Sequence, residues 1–108
     1  MDRIVEKGLL FDYYGSLLTE RQQQIYEDAV TNDLSLSELA DAYDISRQGV
    51  HDLLRRCDRI LAEYEDKLGC IRREQAIKKC ATQLMEQGQQ NKDEESVRLA
   101  GQILELLD

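Results

Sequence analysis

Apolar residues recur along this chain at intervals of three and four, and ordinary strand-like alternation is absent. That period belongs to helices with one buried face. Over residues 4–18 the stripe is Val5, Leu9, Leu10, Tyr13, Tyr14, Leu17 and Leu18, with Phe11 set apart and free to touch another element. A second helix follows Thr19 and presents Ile25, Tyr26, Ala29 and Val30. A short third helix presents Leu36, Leu39 and Ala40. The fourth carries Val50, Leu54, Cys57, Leu61, Tyr64 and Leu68, with Leu53 and Ile60 widening the stripe. Residues 70–87 predict a fifth, with Ile77, Ala81, Leu84 and Met85 on one side. Residues 94–107 predict a sixth, with Val97, Ala100, Ile103, Leu104 and Leu107.

The polar residues between the stripes supply starts and stops. Thr19 with Gln22, and Ser35 with Glu38, have the spacing of a capping box, in which each side chain satisfies a backbone N–H near the helix start. Thr31, Asn32 and Asp33 compete for backbone hydrogen bonds and end the second helix. Leu34 with Leu39, and Ile45 with Val50, suit hydrophobic staples across the next two starts. Tyr43, Asp44 and Ile45 predict a tight turn, with Asp44 tolerating left-handed backbone at some cost. Ser46 caps the long fourth helix, and Gly69 is its predicted stop. Gly88 through Asp93 reads as a polar break.

Composition narrows the class. The 108 residues include no Pro, no Trp and one Phe, and helix-forming Leu, Glu, Gln, Arg and Ala dominate. The expected fold is all-α, in one domain large enough to bury a core. Residues 1–68 are expected to form a helix-turn-helix core with a long recognition helix. Residues 69–108 form a C-terminal helical extension, packed on the same domain or in a dimer interface. No apolar run is long enough to span a bilayer, and the start does not resemble a signal peptide. The expectation is a cytoplasmic protein without membrane insertion. The cysteines Cys57, Cys70 and Cys80 are odd in number and form no metal-ligand spacing, so they are expected to stay reduced. Two of them could bridge only if the helices bring them together.

The net charge of -8 argues against a protein that coats nucleic acid by bulk attraction. The charge is uneven, however. Residues 46–59 hold four arginines against two aspartates, an island on an acidic chain.

That island is the start of the fourth helix, and residues 34–59, LSLSELADAYDISRQGVHDLLRRCDR, read as a helix-turn-helix. The candidate nucleic-acid-binding residues are Ser46, Arg47, Gln48, His51, Arg55, Arg56 and Arg59. Arg47 and Gln48 suit base edges, because Arg offers paired donors to guanine and Gln pairs donor and acceptor with adenine. Ser46 and the helix-start N–H groups suit a phosphate. Arg55, Arg56 and Arg59 are placed for backbone contact, while Asp52 would repel phosphate if it faced a groove. The alternative reading is a solvated helix start on a protein-binding module. Arg72, Arg73, Lys78 and Lys79 form a second basic patch, either a solvated face or a contact to RNA or an acidic partner. No catalytic residue, metal ligand set or cofactor motif is found. His51 beside Asp52 is not a catalytic pair, since neighbours on a helix point in different directions.

These stretches also resemble a known family. LLFDYYGSLLTERQ (ending at Gln22), DLSLSELADAYDISRQGVHDLLRR (33–56) and ILAEYEDKL (60–68) are similar to the YlxM family, small helical proteins whose first half resembles region 4 of the sigma-70 factors. The likeness runs nearly end to end and is most specific through residue 68. It implies a sigma-70 region 4-like helix-turn-helix of the winged-helix-like DNA-binding superfamily, without a clear wing, with additional C-terminal helices and a homodimeric state. It also implies a link to the signal recognition particle, whose GTPase gene adjoins the family's own. The expected partners are therefore duplex DNA, as a non-enzymatic regulator, or the particle's RNA or GTPase, as an accessory protein. A protein-interaction module without DNA contact is a third reading, because fold does not fix function. The family pattern after the turn is Ser-Arg-Gln-Ala-Val-Tyr-Asp. Ser46, Arg47, Gln48, Val50 and Asp52 match it, while Gly49 replaces Ala and His51 replaces Tyr.

Overall fold

A computed structural model describes residues 3–108. The described residues form six α-helices and no strand: α1 (Arg3–Tyr14), α2 (Glu20–Val30), α3 (Leu36–Tyr43), α4 (Arg47–Leu68), α5 (Cys70–Gln90) and α6 (Glu94–Leu107), with a 3-10 turn at Gly15–Leu17 after α1. Contacts divide the chain after Gly69 into two compact units, α1–α4 and α5–α6.

The helix starts of the first unit follow local chemistry. Thr19 Oγ1 accepts from the Gln22 N–H while Gln22 Oε1 accepts from the Thr19 N–H. Ser35 and Glu38 repeat the exchange at α3. The Ser35 backbone N–H, then its hydroxyl, holds the Glu38 carboxyl below its ordinary pKa. At the other end of α3, the Tyr43 hydroxyl donates to Asp28 of α2, which also accepts from Asn32. Those bonds, Tyr43's first, lower the Asp28 pKa.

The core of this unit is Ile25, Leu39 and Val50, each fully buried, one from each of α2, α3 and α4. Ala40, Ile45, Leu53 and Leu54 close around it. Further along α4, Cys57 and Leu61 are also fully buried, as are nearly all of Tyr14 and Tyr26. Phe11 meets the Tyr26 ring at 5.4 Å, the cross-element contact its off-stripe position suggested. Burial, then the charge of Asp58, pushes the Cys57 thiol up to about 11. Thiolate is the reactive form. Under native conditions a maleimide is therefore expected to label exposed Cys80 first and Cys57 only as the unit unfolds. Early labelling of Cys57 in a mass spectrum would contradict this packing.

Two contacts mark the register of α1 against α4. Lys7 Nζ is 3.2 Å from Asp58 Oδ2, and the Tyr14 hydroxyl donates to Glu65 Oε1 at 2.5 Å. Seven residues along α1 match seven along α4, so the two helices run parallel. The continuous helix expected over 4–18 is corrected here. It ends at Tyr14, and the 3-10 turn redirects the chain so that Leu18 is buried while Leu17 is half exposed. Val5, expected on the buried stripe, is also exposed.

The second unit is an antiparallel hairpin. Gly88 faces Val97, and Gly101 faces Met85. Ala81 and Ala100 are buried. The break expected from Gly88 starts later, because α5 continues to Gln90 and only residues 91–93 turn. Gly88 lies inside the helix: a Cβ there would come within 3.0 Å of Val97 Cγ2 and 3.2 Å of the Val97 backbone nitrogen. Its missing side chain lets α5 and α6 approach. Lys92 takes the left-handed conformation of the turn, and Asp93 caps α6 by accepting from the Ser96 N–H and hydroxyl.

Candidate nucleic-acid interface

The turn before α4 is built from three residues. Asp44 adopts φ 52°, ψ 50°, the left-handed conformation, and its N–H returns to the Ala40 carbonyl. The Ile45 N–H donates to the same carbonyl. Reversed in this way, the chain brings Ser46 to the head of α4, where its hydroxyl oxygen accepts the Gly49 N–H at 2.9 Å. Ile45 and Val50 pack on the core side of this turn. The opposite side carries Ser46, Arg47, Gln48 and His51, all exposed.

The exposed side chains are not equally free. Gln48 Nε2 donates to Asp52 Oδ1 at 2.9 Å, so a base contact by Gln48 must displace that bond. His51 Nδ1 lies 3.8 Å from Asp52 Oδ1, too far for a hydrogen bond. Arg47, Arg55, Arg56 and Arg59 enter no ion pair among the described residues. The Ser46 hydroxyl serves as the α4 cap and keeps its own proton to donate.

The candidate residues fall into two groups. Ser46, Arg47 and Gln48 stand at the helix start. His51, Arg55, Arg56 and Arg59 line an open groove further along α4, whose other wall is the first turns of α1. There Arg3 and Lys7 join the arginines, and Ile4 and Leu54 supply apolar surface. Sequence reasoning missed Arg3, Lys7 and Asp58. Their only signal was charge, because the parallel pairing of α1 with α4 joins residues about fifty apart. Asp58 is held from two sides: Lys7 pairs with one carboxylate oxygen, and the Tyr26 hydroxyl donates to the other at 2.7 Å. Burial, then this bond, raises the Tyr26 pKa.

The second basic patch, Arg72, Arg73, Lys78 and Lys79, is exposed on α5 in the other unit. Among the described residues no group of three or more His, Cys, Asp and Glu is placed to hold a metal ion. No disulfide joins Cys57, Cys70 and Cys80. No helix among the described residues is long and apolar enough to cross a membrane.

Six helices among the described residues, in two units, with an arginine-bearing helix held at its start by a tight capped turn, define a small all-α protein. The chain belongs to the UPF0122 family, whose profile, described as "Putative helix-turn-helix protein, YlxM / p13 like", matches residues 1–100. The resemblance to YlxM proteins read from the motifs is thereby established. The chain is 34% identical to UPF0122 protein YlxM of Bacillus subtilis over 108 residues, covering all of this chain and 98% of that one. A UPF0122 protein of Bacillus velezensis is 35% identical over the same span. A UPF0122 protein of Desulforamulus reducens is 55% identical over 64 residues, 59% of this chain. That match spans only 55% of the relative's length, and those to two Thermoanaerobacter relatives span 59%.

Proposed function

We propose that this protein is a regulator that binds duplex DNA through a helix-turn-helix of sigma-70 region 4 type. In this reading α3 supports α4, and the start of α4 enters the major groove. Arg47 carries the argument: it is exposed, enters no ion pair among the described residues, and stands beside a capped helix start whose turn packs on the core. Arg47 and Gln48 read base edges, and the N–H groups of the first turn with Ser46 hold a phosphate. The test is binding of the full chain, at one fixed salt concentration, to the promoter duplex of its own operon and to a scrambled duplex. The promoter is expected to bind more tightly, and the double variant Arg47→Ala, Gln48→Ala to lose that preference. A good bidentate base contact is worth about 1–3 kcal/mol of discrimination. Equal affinity for both duplexes would sink the reading.

A single small interface has limited affinity, and a second copy adds to it through effective concentration. We therefore propose a homodimer in which the C-terminal hairpin takes part. What supports it is apolar surface that a two-helix unit leaves open: Ile77, Leu84 and Leu99 are nearly half exposed, and Leu106 is 85% exposed. Sedimentation over a concentration series is expected to give the mass of two chains; the mass of one chain throughout would remove the dimer.

The exposed cations of α5 favour a second reading, an accessory role on the signal recognition particle RNA or its GTPase. Binding to that RNA alone, lost in the double variant Lys78→Ala, Lys79→Ala, would replace the promoter reading.

A further inference from the structure

We propose that the groove between α1 and α4 is a binding track for the phosphodiester backbone of duplex DNA, with Arg3 and Lys7 of α1 as part of the contact. It deepens the helix-turn-helix reading, and rests on it for the claim that track and helix start share one duplex. Five cationic side chains line the groove (Arg3, Lys7, Arg55, Arg56 and Arg59) against two carboxylates, Asp52 and Asp58. Three come from α4 and two from α1, so the track exists only because the two helices run parallel.

The arrangement suits a repeating anion. Arg55 and Arg59 are one helical turn apart on one wall, and Arg3 and Lys7 are one turn apart on the other, about 6 Å in each case. Four of the five cations are arginines, whose forked donors match phosphate oxygens. Arg47 to Arg59 spans about 18 Å of helix. That is roughly the axial length of five base pairs, so a duplex that lies along α4 from its start would bring phosphates to the groove.

Asp58 limits the track. Its carboxylate pairs with Lys7 at 3.2 Å and accepts from the Tyr26 hydroxyl at 2.7 Å, which anchors it at the groove and holds the Lys7 charge back from an incoming phosphate. Removing the Asp58 charge should therefore strengthen binding. Asp58→Asn keeps a carbonyl oxygen for the Tyr26 hydroxyl. A residue with only a structural role would not give that gain.

The experiment measures the affinity of the full chain for a labelled duplex of scrambled sequence across a salt series. Helix content of each variant is checked by circular dichroism. Each phosphate contact contributes about 0.9 to the slope of log affinity against log salt. The double variant Arg3→Gln, Arg59→Gln is expected to flatten the slope by about 2 and weaken binding at every low-salt point. Asp58→Asn is expected to bind several-fold more tightly. An unchanged slope in the double variant, weaker binding by Asp58→Asn, or preference for polyglutamate over the duplex would each overturn the track. Groove-dependent binding without promoter preference would leave the track standing and sink the sequence-reading role of Arg47 and Gln48. Promoter preference that depends on Arg47 but ignores the groove variants would do the reverse.

Discussion

Replacing Leu39 with Ala should destabilise the first unit by about 2–5 kcal/mol, the range for emptying a buried leucine site in a packed core. Leu39 is fully buried at the centre of the cluster with Ile25 and Val50, so one truncation withdraws contacts from α2, α3 and α4 together. At about 0.05–0.15 kcal/mol per residue, a unit of this length holds roughly 3–10 kcal/mol in total. The loss is therefore a large share of what keeps the turn before α4 in place. Leu39→Met, which conserves volume, should cost less than about 1.5 kcal/mol. Urea unfolding followed at 222 nm separates the two variants. A loss under about 1 kcal/mol for Leu39→Ala would mean the site collapses around the cavity and is not tightly packed.

The second large effect is expected in the hairpin. Gly88→Leu places a side chain where even a Cβ sits 3.0 Å from Val97 Cγ2 and 3.2 Å from the Val97 backbone nitrogen. Backbone cannot rotate aside as a side chain does, so α5 and α6 must separate. Leu is a better helix former than Gly by nearly 1 kcal/mol, which works in the opposite direction. Overpacking costs typically about 1–3 kcal/mol, and here the close approach should win. Amide hydrogen exchange at Ala81 and Ala100, the buried small residues of this unit, should then quicken. Unchanged protection there would show that the hairpin accommodates the side chain.

How much of this was legible beforehand can be judged element by element. The caps were, because a capping box is a local transaction: Thr19 with Gln22 and Ser35 with Glu38 bond within one turn. Asp44 was legible for the same reason, and Gly69, at φ 63°, ends α4 where a glycine stop was expected. Gly88 was misread. Gly disfavours a helix locally, but nothing local shows that a second helix approaches at that point. Leu17 was misread for a related reason: period alone carried the stripe past Tyr14, and the break depends on how the first helix docks.

The exposed helix start was placed by sequence, since Ser46 and the staple of Ile45 and Val50 lie next to Arg47. The groove was not, because Arg3 and Lys7 are about fifty residues from the arginines they join. By itself, the sequence determined the all-helical class, the ends of most helices, the arginine-bearing start of α4 and the family. Each follows from interactions within one or two turns, or from residue identity alone. Only the tertiary structure decided that α1 runs parallel to α4, that Asp58 is held by Lys7 and Tyr26, and that five cations share one groove. Those facts come from long-range packing, in which a helix of given period can bury its stripe against several partners. The choice among them is made by the shapes of the surfaces that meet.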